Sequence, residues 1–297
     1  MRRLLITGGT GIIGKAVLEK IPNNITIILL TRNPKHYSKR KNLELEFFDH
    51  WNDKSLPTNL WNANEVLHMA GATHEINPEI YFSVNTDLTR RLIELCERNK
   101  INRFTYMSSQ AVSELGGAYS KSKFLAEKMI LKSKLNWTIL RPSEVYGPEI
   151  SCMLTKLCKL VDSSSCIPVI GDGLYCLNPV HIDDLSTFIT KLIMDSSDLS
   201  FKKVYTLCGP KSETFLEFCQ NIAVELNNEL IFLKFPLSAC KLLLRILNKL
   251  GFKDIAYDQI DRLVMEKSND FSSAFNDFNF EPRSFRNINS LLPSKDF

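Results

Sequence analysis

The 297-residue chain predicts a doubly wound parallel α/β sheet followed by a smaller C-terminal lobe. Three observations carry that prediction. Short apolar runs recur at Leu4–Ile6, Ile25–Leu30, Val66–Met69 and Phe104–Met107, the pattern of strands buried on both faces. Segments with helical spacing lie between them. The first run also passes directly into Gly8-x-x-Gly11-x-x-Gly14, and Ile13, Val17, Leu18 and Ile21 then fall near helical spacing. Residues 1–150 are expected to hold the sheet, with 179–208 returning to it, and 151–297 to form the smaller lobe.

Each opening element has a physical reason. Gly8 permits a tight exit from the strand. Gly11 lets the backbone approach a pyrophosphate, and Gly14 lets the helix sit close to the strand. The helix N-terminus then offers free N–H groups to that anion. Strand, glycine turn and helix in this order imply dinucleotide binding. The second strand, Ile25–Leu30, ends in Thr31-Arg32 rather than in an acid. A guanidinium there can hold a 2′-phosphate, which favours NADP over NAD.

Leu43–Phe48 reads as a third strand ending at Asp49, and Val66–Met69 as a fourth running into Ala70-Gly71-Ala72. Small residues there would let a cofactor lie against the backbone. Asn85–Arg98 reads as a helix with Leu88, Leu92 and Leu95 on one face. The fifth strand, Phe104–Met107, delivers Ser109 to the edge where open α/β sheets bind ligands. Tyr119 and Lys123 stand four apart on the next helix and so share a face. An ammonium beside a phenol favours the phenolate, which suits Tyr119 to general acid/base work. Ser109 can donate to a carbonyl oxygen as charge develops on it.

These motifs together resemble the extended short-chain dehydrogenase/reductases, the NAD(P)-dependent epimerase/dehydratase family. Leu140-Arg141-Pro142-Ser143-Glu144-Val145-Tyr146-Gly147-Pro148 and Pro179-Val180-His181-Ile182-Asp183-Asp184-Leu185 resemble later segments of that family. The resemblance implies a Rossmann-like fold and the catalytic set Ser109, Tyr119 and Lys123. The implied cofactor-facing residues are Gly8, Thr10, Gly11, Ile12, Ile13, Gly14, Thr31, Arg32, Asp49, Met69, Ala70, Gly71, Asn85, Tyr119, Lys123, Pro142 and Val145. Three departures from the family pattern narrow the expectation. Gln110 and Ala111 replace the acids that dehydratases carry, which argues against dehydration. Glu144 stands where epimerases often have Asn, and Leu177 stands near a position that is often Arg, leaving Arg262, Arg283 or Arg286 to meet a diphosphate. Only nine residues separate Ser109 from Tyr119, a short loop for the family.

The expected activity is therefore keto reduction or epimerisation of a nucleotide-linked sugar. A non-catalytic NADP(H)-binding scaffold like the complex I accessory subunit, and a reductase of a small apolar ketone, are the alternatives. The net charge of +4 shows no basic stripe interleaved with aromatics, which argues against nucleic acid. The eight cysteines form no Cys-x-x-Cys pair, so no metal site is expected, and the chain starts directly on a strand. Both features fit a reduced, cytoplasmic protein with no leader and no membrane span. A homodimer through the Leu88–Leu95 and Phe124–Met129 helices is an open expectation. Leu237–Leu250 is a basic amphipathic stretch, expected to pack in the small lobe rather than to lie on a membrane.

Overall fold

The computed structural model describes residues 2–32, 42–47, 62–148, 150, 152–249, 258–286 and 288–292. Seven strands build the main sheet: β1 (Arg2–Thr7), β2 (Ile25–Thr31), β3 (Leu43–Phe47), β4 (Glu65–His68), β5 (Arg103–Met107), β6 (Asn136–Pro142) and, later in the chain, Lys203–Leu207. Between β6 and that last strand lie β7 (Val145–Tyr146), β8 (Cys166–Ile170), β9 (Cys176–Leu177) and β10 (Val180–His181). Lys203–Leu207 is therefore β11, and β12 (Glu213–Thr214) and β13 (Ile231–Phe235) follow it. The sheet order is β11-β6-β5-β4-β1-β2-β3, and every neighbouring pair is parallel.

Buried strands need cover on both faces, and the pleat supplies it. Leu4 and Ile6 of β1 point into one core with Ile27, Leu29, Leu140 and Leu207, and Leu5 points into the opposite core with Ile28, Val66, Phe104 and Ile139. Helices α1 (Ile12–Lys20) and α6 (Ile182–Met194) close the first face. The second face is closed by α3 (Leu88–Asn99) and α4 (Ala118–Lys132), which follow the single turn α2 (Pro78–Tyr81). Leu88, Leu92 and Leu95 are buried in this second core, so they are spent on the chain's own packing.

The remaining helices are α5 (Met153–Ser163), α7 (Phe215–Leu226), α8 (Leu237–Lys249), α9 (Asp258–Val264) and α10 (Ser272–Phe278). A separate core joins α5, α7 and β8 through Leu157, Val161, Ile167, Val169, Phe218 and Ile222. Here β13 pairs in parallel with β8. Phe278 and Phe280 lie edge-on to Phe188, and Phe278 to Tyr205, so the chain after the small lobe comes back to the main core.

Several element ends differ from the sequence expectation. The expected helix from Asn85 opens as a π-helical turn, Phe82–Asp87, before α3 begins. Thr214 caps α7: its hydroxyl accepts from Glu217 N at 3.2 Å, while the Glu217 carboxylate accepts from Thr214 N at 2.9 Å. Strands β8 and β13 carried too little alternation to be read from sequence. Asp49 lies outside the described residues.

Candidate active site

The order of strands reverses between β1 and β4, and ligands in open α/β sheets bind at such a switch point, outside the carboxyl ends of the strands. Gly8 and Ala70 meet there. A Cβ on Gly8, whose φ is +73°, would come within 2.4 Å of Ala70 N, and one on Gly14 within 2.3 Å of Gly8 O. Helix α1 starts at Gly11 with no side-chain cap and no acid in its first turn. Its first amides are thus left for an anion, as a pyrophosphate requires. Thr10 and Ile12 are exposed at this turn, while Ile13 packs on the core. Thr31 is buried at the end of β2, and Arg32 is exposed just beyond it. These residues fit a dinucleotide.

A chain of hydrogen bonds locks this edge from behind. Ala70 N donates to the Thr7 hydroxyl (3.2 Å), which lies 2.6 Å from His68 Nδ1; His68 Nε2 lies 2.9 Å from the Thr89 hydroxyl, which donates to Asn85 O (2.7 Å). Because each hydroxyl has only one proton to give, these partners assign a neutral His68 carrying its proton on Nε2. Burial, with the nearby Lys123 ammonium as a second cause, brings the His68 pKa down to about 3. Asn85 sits in the π-helical turn. Its side chain accepts from Ala72 N at 2.8 Å and donates to Ala72 O at 3.1 Å and to Ser122 Oγ at 2.9 Å. Asn85 therefore clamps the Ala70-Gly71-Ala72 turn onto α4.

Helix α4 carries Tyr119 and Lys123 inward, both buried. Lys123 Nζ donates to Met107 O at 2.8 Å, two residues before Ser109, and lies 4.8 Å from the Tyr106 ring centroid. Gly71 lies against it: a Cβ there would come within 3.1 Å of Nζ. Burial lowers the Lys123 pKa to about 8, and Glu127 one turn on opposes that shift. Arg141 holds Glu127 through two hydrogen bonds, at 3.0 and 2.5 Å. Ser109 Oγ accepts from Ala111 N at 3.1 Å, and Ala111 packs in one cluster with Tyr119 and Tyr81. The Tyr81 ring is edge-on to that of Tyr119 at 5.8 Å. Ser109 thus follows the end of β5, and Tyr119 and Lys123 lie on the first turns of α4.

The C-terminal lobe roofs this cluster. Arg262 of α9 lies over the Tyr119 ring and donates to Thr73 O at 2.9 Å. Lys267 pairs with Glu144, and Asn178 donates to Ser268 O at 2.8 Å. Of the other arginines considered for a diphosphate, Arg283 is held by Asp184 at 2.7 Å. Arg286 lines a cavity of about 270 Å³ beside Pro179, Lys211 and Phe285 whose walls include neither Ser109 nor Tyr119. Leu177 is a core residue of the small lobe. Pro142 O accepts from Gln110 N at 3.0 Å, which ties the end of β6 to the residue after Ser109, while Val145 packs on the main core.

Residues 4–208 match the model of the NAD dependent epimerase/dehydratase family. The chain belongs to that family. Individual proteins are similar to it as well. A mitochondrial NADH-ubiquinone oxidoreductase 40 kDa subunit of Neurospora crassa is 22% identical, the match covering 95% of this chain and 76% of that one. A decarboxylating sterol-4-alpha-carboxylate 3-dehydrogenase of Saccharomyces cerevisiae is 28% identical over 179 residues, only 49% of this chain and 51% of its own length. Among solved structures, UDP-glucuronic acid 4-epimerase from Bacillus cereus, in complex with UDP-glucuronic acid and NAD, superposes with a TM-score of 0.71 at 16% identity over 97% of this chain and 96% of that one. At that identity the likeness concerns the fold. In this member of the epimerase/dehydratase family, sequence reasoning did not pick out His68, Glu127 or Tyr81. Their only sequence signal is a polar or aromatic residue inside an apolar pattern.

Proposed function

We propose that the chain is a nicotinamide-dependent oxidoreductase or epimerase that interconverts a secondary alcohol and a ketone on a nucleotide-linked sugar. The observation that carries this reading is the Lys123 ammonium, buried against Met107 O and on the same helix face as Tyr119. Burying an ammonium costs stability, and groups shifted by burial cluster at functional sites. A bound nicotinamide dinucleotide would supply the hydride acceptor or donor. The chain's own residues do the rest. Tyr119 takes up or returns the hydroxyl proton, Ser109 donates to the developing oxyanion, and Lys123 favours the phenolate by its charge. The Gly8–Gly14 turn holds the pyrophosphate, and Arg32 favours the 2′-phosphorylated form of the dinucleotide.

The test is Tyr119→Phe. It should abolish hydride exchange with a panel of nucleotide-sugars while leaving dinucleotide affinity within about twofold. Unchanged exchange would remove the mechanism. The match to the 40 kDa subunit over 95% of this chain favours a second reading, a dinucleotide-binding scaffold. Tight dinucleotide binding by the wild type with no exchange on any substrate would favour the scaffold.

A further inference from the structure

One stretch of the C-terminal lobe has no place in the site described above. Between Leu230 and Lys249 the sequence holds four of the chain's 37 Lys and Arg and none of its 33 Asp and Glu. The rest of the chain balances at 33 of each, so the whole formal charge of +4 belongs to these twenty residues. The same stretch is apolar on its outside. In β13, Phe232 turns towards the small-lobe core while Ile231, Leu233 and Phe235 are exposed. Helix α8 follows after Pro236. Leu244 is buried, while Leu242, Leu243 and Ile246 are 59%, 57% and 47% exposed, and the sequence of the same helix carries Lys241, Arg245 and Lys249 with no acid. Lys234 is exposed, and Lys241 also pairs with Asp261 at 2.5 Å.

We propose that β13 and α8 form a docking surface for an anionic lipid bilayer. An apolar ridge flanked by cations is the composition of a helix that lies in the headgroup region, its ridge among the acyl chains and its cations at the lipid phosphates. Thirteen residues fall well short of the ~20 that span a bilayer, so the helix lies flat rather than crossing. Charge also selects this occupant over a second copy of the chain. A symmetric dimer would bring two identical basic surfaces together, and like charges facing one another oppose association. A negative membrane surface complements them.

Co-flotation of the full chain with vesicles tests this. The chain should float with phosphatidylcholine vesicles containing roughly 30% phosphatidylserine, stay behind with phosphatidylcholine alone, and be released by about 0.5 M NaCl. Lys234→Gln should weaken binding roughly fivefold. The double variant Leu242→Ser, Leu243→Ser should abolish flotation with a melting temperature lowered by only a few degrees, since both side chains are more than half exposed. Leu115→Ser, which removes an exposed leucine remote in sequence from this stretch, should float like the wild type. The proposal fails if the wild type ignores anionic vesicles, or if the double variant floats as well as the wild type. It also fails if light scattering shows a wild-type dimer that the double variant turns into monomer, since the face would then belong to a protein contact.

Discussion

The guanidinium carbon of Arg262 lies 4.4 Å from the ring centroid of Tyr119. One residue comes from the C-terminal lobe and the other from the helix that follows β5 in the main sheet. The contact therefore ties the roof of the site to its phenol.

A cation over a buried aromatic face contributes on the order of 1–2 kcal/mol. Arg262→Ala should therefore destabilise the chain by about 1 kcal/mol in a denaturant titration and lower turnover roughly tenfold or more. Dinucleotide affinity should stay within about twofold, because the proposed pyrophosphate cradle is the Gly8–Gly14 turn. Arg262→Lys should recover part of the turnover, because the charge remains while the planar stacking is lost.

His68 makes the fold sensitive to acid. Its pKa is about 3 in the folded chain against 6.5 unfolded, so the unfolded chain binds the extra proton between those values. Stability from this residue is present in full above pH 6.5 and is lost as pH falls towards 3, to a total on the order of 5 kcal/mol. Urea midpoints measured from pH 7 to pH 4 should show this slope. In His68→Gln the slope should flatten, with lower stability at pH 7 because the chain from Thr7 to Asn85 loses a link.

Lys123 has the same sign in a more alkaline window. Its folded pKa of about 8 lies below the ordinary 10.5, so the cost of burying its charge is fully present below pH 8 and is relieved as pH rises from 8 to 10.5. Lys123→Met should abolish turnover while raising stability at pH 7 by about 1–2 kcal/mol: the relief of up to ~3 kcal/mol is partly offset by leaving Met107 O without its donor. Thermal melts and hydride-exchange assays on the same samples check both halves.

Glu127 is buried and depends on Arg141 for charge balance. Arg141→Ala leaves that carboxylate without its partner and should cost about 3 kcal/mol or more by denaturant titration. Replacing both, with Glu127→Gln and Arg141→Leu, should recover much of the loss, and the double-mutant cycle measures the coupling.

Gly14→Ala tests the cofactor cradle. The added methyl would sit 2.3 Å from Gly8 O and 2.5 Å from the Cα of Gly9, so the turn must shift. Dinucleotide binding measured by fluorescence or calorimetry should fall at least roughly tenfold. Gly171→Ala is the informative control. That glycine has positive φ but open space around it, so the substitution should cost about 1 kcal/mol of stability and leave binding intact.

Much of the site was legible because it is local. The glycine turn, the strand that precedes it and the four-residue step from Tyr119 to Lys123 are short-range patterns, and backbone geometry translates them directly into position. Ser109 follows a strand, so parallel strand order alone carries it to the ligand edge. The departures at Glu144 and Leu177 were visible as unusual residue types, but their meaning was not. Leu177 is core packing, and Glu144 has acquired Lys267, a residue 123 positions away.

Apolar runs at βα intervals determined the doubly wound sheet, and the spacing of three glycines determined where an anion can sit, because both depend on periods of a few residues. Contacts between distant residues were left to the folded chain. His68 is neutral because burial strips its water and Thr7 and Thr89 satisfy its ring; Arg262 reaches Tyr119 because the small lobe folds back across the sheet edge. Which groups lose solvent and which charges end up side by side is set by packing over long sequence separations, and one-dimensional spacing carries no record of that.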